Sequence, residues 1–137
     1  MAFRFFLPSV IWGLIIFVLI SVPVSSDESS FFDIPHFDKI VHTTLFCVFA
    51  FLLSIGFFLK DKKNLEFSNV RKHLWIVFLL GLGYGAITEM FQELLLTERT
   101  GSFWDFIANT AGTVFGIIAF KFTKNTRIIK VFKFLEK

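Results

Sequence analysis

Apolar residues in this chain gather into four long runs, and the polar residues fall between them in short clusters. The runs are Phe5–Val24, Ile40–Leu59, Leu74–Leu96 and, less cleanly, Phe103–Phe122. A bilayer core of roughly 30 Å needs about 20 apolar residues in an α-helix, so each run is long enough to cross. Backbone groups in lipid must be satisfied within the segment, which makes each run a helix. Charge, Pro or Gly bounds every run, as helix ends require. The pattern predicts an all-α integral membrane four-helix bundle, with residues 1–137 as a single unit.

The basic residues set the orientation. Arg4 precedes the first run. Lys60, Lys62, Lys63, Arg71 and Lys72 follow the second, and Lys121, Lys124, Arg127, Lys130, Lys133 and Lys137 follow the fourth. Only Lys39 and Arg99 fall in the alternate connections, which also carry Asp27, Glu28, Asp33, Asp38 and Glu98. Lys/Arg-rich short loops stay in the cytoplasm. Both termini are therefore expected inside, in an N-in/C-in arrangement.

Val24-Ser25-Ser26 before Asp27 resembles a secretory cleavage site, but the apolar stretch exceeds the usual 7–15 residues of a signal peptide. A retained first span is expected. After Phe122, basic residues recur about every third position, with Ile128, Val131, Phe132 and Leu135 near helical spacing. A basic amphipathic C-terminal segment on an anionic leaflet fits this pattern. A plain stop-transfer tail is the simpler alternative.

Composition sharpens the picture. The 137 residues are 55% hydrophobic and 18% charged, with 22 phenylalanines. A soluble domain has about 45–50% apolar and about 25% charged residues. The net charge of +3 marks a membrane face, and no nucleic-acid partner is expected. Cys47 is the one cysteine and forms no intramolecular disulfide.

The polar residues inside the runs share one depth. Asp38, Lys39 and His42 lie in the outer turn of the second span, and Asp105 and Asn109 in the outer turns of the fourth. Glu89 lies about 22 Å above Leu74 along the third helix, with Gln92 and Glu93 higher still. Arg99 is in the connection to the fourth. Residues three or four apart share a helix face, which pairs Asp38 with His42, Glu89 with Gln92 and Glu93, and Asp105 with Asn109. Gly81 and Gly85 continue the Glu89 face, and Gly112 and Gly116 the Asn109 face. Such small-residue stripes let helices approach closely. The third and fourth spans are expected to pack along them.

Structural roles compete with functional ones. Asp38 and Asp105 suit helix N-termini, and Asn109 suits a bond between helices. A lone carboxylate such as Glu89 below the interface calls for a partner or a site. His36, Asp38, His42 and Glu89 are ordinary metal-ligand types. No spacing such as H-x-x-x-H with a nearby acid appears, so neither a metal nor a cofactor is expected. His73 belongs to the basic loop.

Asp38-Lys39-Ile40-Val41-His42, Glu89-x-x-Gln92, Arg99-Thr100-Gly101-Ser102 and Asp105-x-x-x-Asn109-x-x-Gly112-x-x-x-Gly116 resemble the VanZ-like membrane proteins. The likeness runs from about Phe37 to Phe120. Thr97-Glu98 stands before Arg99, where the family often has a proline. The resemblance implies a prokaryotic cytoplasmic membrane, a link to teicoplanin susceptibility, and Asp38, His42, Glu89, Gln92, Arg99, Asp105 and Asn109 as the family's functional or architectural set.

Three functions fit these residues. The favoured one is an extracytoplasmic polar pocket for an envelope lipid or a lipid-linked cell-wall precursor, with Lys39 and Arg99 on phosphate. The second is an enzyme acting on such a lipid, with Glu89 or His42 as base; no activated nucleophile is evident among Thr88, Thr100 and Ser102. The third is an ion-coupled carrier, which the apolar inner halves of the spans disfavour and which would require oligomerisation. Membrane lipids are the expected partners.

Overall fold

The computed structural model of the protein describes residues 2–21, 36–61, 67–95, 102–126 and Phe132. Among them are four α-helices and no strand: α1 (Leu7–Ser21), α2 (Phe37–Lys60), α3 (Phe67–Leu95) and α4 (Phe103–Thr123). A short 3₁₀ segment, Ala2–Phe6, leads into α1. Pro8 sits in the first turn of α1, where a missing N–H costs nothing. All four helices are long and apolar enough to cross a membrane, the first together with its 3₁₀ lead as Phe3–Ser21. The protein is a multi-pass membrane protein.

Two of the helices, α2 and α3, start before their apolar runs do. α2 begins at Phe37 and α3 at Phe67, and Asp38 and Lys39 stand in the first turn of α2, in the terminal turn of the second span where the sequence puts them. Most of the basic tail beyond Thr126 lies outside the described residues, and with it most of the expected amphipathic segment. Phe132 packs against the buried cluster of Ile55, Leu59 and Phe120.

The helices run up and down. The starts of α2 and α4 meet at one end through Lys39 and Asp105, and the ends of α1 and α3 reach the same end through Ile20 and Gln92. Lys60, Lys121 and Lys124 lie towards the other end. These are called the polar end and the basic end below.

α4 lies between α2 and α3. A methyl group placed on Gly112 would collide with the carbonyl of Thr43, and one on Gly116 with the carbonyl of Cys47. The α2 and α4 backbones are therefore in direct contact. Without a hydrophobic force between helices in lipid, close van der Waals contact of this kind holds them together. An adjoining face of α4 meets α3, where Gly81 leaves room for the Thr113 side chain and Gly85 for Asn109. The two glycine stripes do not face each other as expected from sequence. Gly112 and Gly116 face α2, and Gly81 and Gly85 receive side chains of α4.

α1 is held by polar anchors as well as packing. Trp12 Nε1 donates to the Leu45 carbonyl (3.0 Å) and Tyr84 OH to the Gly13 carbonyl (2.6 Å). Around them pack Ile16, Ile20, Leu45, Phe46 and Phe49. An apolar groove of about 490 Å³ opens beside this cluster, between α1, α2 and α3.

Candidate functional site

The polar end of the bundle is built from three helix ends. In α2, Asp38 and His42 stand one turn apart on one face, with Lys39 beside them. In α4, Asp105 and Asn109 repeat that spacing. α3 arrives from the other direction and brings Glu89. Because α2 and α4 start at the same level with their backbones in contact, their first turns face each other directly.

Two layers result. At the surface, Lys39 Nζ bonds Asp105 Oδ1 at 3.1 Å, with the Lys39 side chain 36% and the Asp38 side chain 55% exposed. Beneath it, Asn109 Nδ2 donates to Glu89 Oε1 at 2.9 Å, while Asn109 Oδ1 lies 3.0 Å from His42 Nδ1. Glu89, Asn109 and His42 retain only 9%, 1% and 3% exposure. The second oxygen of Glu89 accepts the Ser102 backbone N–H at 3.1 Å. A carboxylate is thus seated at the N-terminus of α4, where free N–H groups and the helix dipole favour negative charge.

The bonds define the direction of the network. A carboxylate that takes an N–H at each oxygen is an acceptor, so the Asn109 amide turns its NH₂ to Glu89 and its oxygen to His42. That oxygen can only accept, and His42 Nδ1 must be the donor. His42 Nε2 then points at Asp38 Oδ1, 3.6 Å away, too far for a hydrogen bond. Asp38, His42 and Asp105 each bring a ligand-type atom to within 4.8 Å of the others.

The remaining sequence candidates divide. Gln92 is buried but turns away from this cluster, donating to the Ile20 carbonyl at 3.3 Å. It satisfies one of the last carbonyls of α1, which have no partner within their own helix. Glu93 is exposed. His36 is exposed just ahead of α2 with φ 65°, apart from the ligand-type group. Arg99 and Thr100 lie outside the described residues. The apolar groove is separate: Phe6, Gly13, Phe49, Leu53 and Tyr84 line it, and none of the polar candidates does.

Two contacts had no sequence signal. The Ser102 N–H partner of Glu89 is a backbone group, which no pattern of side chains reveals. Thr43 Oγ1, which donates to the Ala108 carbonyl at 3.2 Å, looks like any threonine in an apolar helix. The closeness of α2 and α4 explains both the contact and its position beside Gly112.

No curated protein and no solved structure matches this chain. The family model described as VanZ/LLP1 matches residues 4–124. That range takes in all four spans and every residue of the polar layer, and the chain belongs to the VanZ/LLP1 family.

Proposed function

We propose that the polar end faces the extracytoplasmic side of a prokaryotic cytoplasmic membrane and binds the headgroup of an envelope lipid or lipid-linked cell-wall precursor. One observation carries this reading. The buried His42–Asn109–Glu89 network comes to the surface through the half-exposed Asp38 and Lys39, at one end of the four apolar helices. The distribution of Lys and Arg supports the orientation.

The lining also narrows the chemistry. Among the described residues, Asp38, Glu89 and Asp105 bring three carboxyl groups beside one lysine, Lys39, which is already bonded to Asp105. A bare phosphate is poorly matched to such a surface. A headgroup that presents hydroxyl or ammonium donors to the carboxylates, with its phosphate towards Lys39 and Arg99, is well matched. Sequestering a cell-wall precursor in this way would alter its encounter with teicoplanin, which connects the reading to the family.

Catalysis has less support. Each oxygen of Glu89 already holds a donor, and the hydroxyls of Thr88 and Thr113 donate to carbonyls of their own helices.

The test is teicoplanin protection in a susceptible host, comparing wild type with Glu89→Gln at matched membrane abundance. It is paired with lipid capture by the purified protein and its Lys39→Ala variant, in the presence of a chelator. Protection lost at normal abundance, with selective capture of an amine- or hydroxyl-bearing lipid, supports the site. Equal capture of all lipids by both proteins defeats it.

A further inference from the structure

His42 is held in the manner of a metal ligand. Its Nδ1 is committed as donor to Asn109 Oδ1 (3.0 Å), and Asn109 is itself held by Glu89 (2.9 Å). Metal-binding histidines usually have one ring nitrogen fixed in this way by an outer oxygen, which sets the tautomer and aims the other nitrogen at the ion. Here the other nitrogen, Nε2, belongs to a side chain only 4% exposed and has no hydrogen bond among the described residues. It faces a carboxylate oxygen of Asp38 at 3.6 Å. That distance is too long for a direct hydrogen bond, and a cation between the two atoms would bridge them.

The surroundings supply the rest of a coordination set. Asp105, one turn before Asn109 on α4, is buried, and its ligand-type oxygen lies within 4.8 Å of those of Asp38 and His42. Lys39 occupies Asp105 Oδ1 and leaves Oδ2 to turn towards an ion. Among the described residues of the polar layer, the carboxyl groups of Asp38, Glu89 and Asp105 accompany one lysine, Lys39, a balance that suits a cationic guest. The exposed side of Asp38 provides the entry.

We propose that Asp38, His42 and Asp105 bind a divalent transition-metal ion, zinc or manganese, with His42 coordinating through Nε2 and the two aspartates through one oxygen each. One imidazole with two carboxylates suits these borderline ions. Water or a headgroup oxygen completes the shell. The site does not depend on the headgroup reading, because the ion alone is the probe.

The full chain, purified in detergent without a histidine tag and stripped with chelator, is titrated with Zn²⁺ and with Mn²⁺. Metal per chain is measured after dialysis. The wild type is expected to retain one ion per chain. Asp38→Ala removes a half-exposed side chain that makes no hydrogen bond among the described residues, so folding should be unaffected. It is expected to weaken binding at least about tenfold, since even groups supporting a metal ligand are worth about 10–100-fold. Asp105→Asn should do the same, while His73→Ala and Cys47→Ser, at donors outside the cluster, should retain the full stoichiometry. ¹⁵N spectra of His42 give a second readout: a metal-dependent shift confined to Nε2 is expected. No saturable binding of either ion, or binding equal in wild type and Asp38→Ala, overturns the proposal. So does a His42 ring protonated on both nitrogens and unmoved by metal, which would make the cation a proton.

Discussion

Glu89 and Asn109 stand twenty positions apart in the chain and are joined by a 2.9 Å bond between two buried side chains. That bond links α3 to α4, and through the amide oxygen it extends to His42 on α2. One side chain thus connects three helices.

Asn109→Ala should therefore be costly. Interhelical hydrogen bonds in membranes average only about 0.6 kcal/mol, because the unfolded reference also finds partners. Here the substitution leaves a buried carboxylate and a buried imidazole each short of a partner, at about 1–3 kcal/mol per unsatisfied group. Thermal unfolding in detergent should show a loss of about 2–6 kcal/mol. A loss under about 0.5 kcal/mol would mean that the network is incidental to the fold.

The glycines give opposite expectations by position. Gly112→Ala and Gly116→Ala drive a methyl group into the Thr43 and Cys47 carbonyls, and the α2–α4 contact must open. Overpacking of this kind costs about 1–3 kcal/mol or more. Gly83 has nothing within 4 Å of an added methyl group, so Gly83→Ala should be neutral or stabilise by up to about 1 kcal/mol through helix propensity. Melting temperatures of the three variants decide it, and equal shifts would refute the asymmetry.

The anchors of α1 should be weaker than Asn109. Trp12 and Tyr84 donate to the carbonyls of Leu45 and Gly13, which lie within helices and keep their backbone partners. Tyr84→Phe removes a donor without orphaning a buried charge. A loss of about 0.6 kcal/mol is expected. A loss above about 2 kcal/mol would show that the hydroxyl holds more than this contact.

Orientation can be read by thiol labelling in a Cys47→Ser background. Glu93 and Asn125 are both exposed and lie towards opposite ends of the bundle. An impermeant reagent on intact cells should label Glu93→Cys and spare Asn125→Cys. The reverse pattern would place the polar end in the cytoplasm and remove the basis of the headgroup reading.

At the opposite end, His73 Nε2 bonds Asp61 Oδ2 at 3.0 Å while its ring stacks on Phe57 at 5.0 Å. Asp61 caps the C-terminus of α2, where a negative charge is unfavourable, and the His73 ring of α3 bonds its carboxylate. His73→Ala should cost no more than about 1 kcal/mol, as expected for a partly exposed pair. The structure places His73 within α3 and not in the basic loop where the sequence put it, and an unfolding measurement showing a larger loss would assign its ring a packing role against α2.

The sequence by itself determined the elements. Four runs of bilayer length can only be helices, since lipid offers the backbone no other partner, and the polar positions share a level because the starts of the second and fourth helices and the end of the antiparallel third lie on the same side. Membership of the polar layer was legible for Asp38, Lys39, His42, Glu89, Asp105 and Asn109 because charges and amides stand out against apolar neighbours. Tertiary structure alone decided the partners. Depth along a helix follows from counting residues, but rotation about its axis follows from which neighbour packs there. Hence Gln92, one turn from Glu89, serves α1 instead of the cluster, and the Gly112–Gly116 stripe meets α2 instead of α3. The group formed by Asp38, His42 and Asp105 is assembled across two helices, which is why no spacing in the chain announced it.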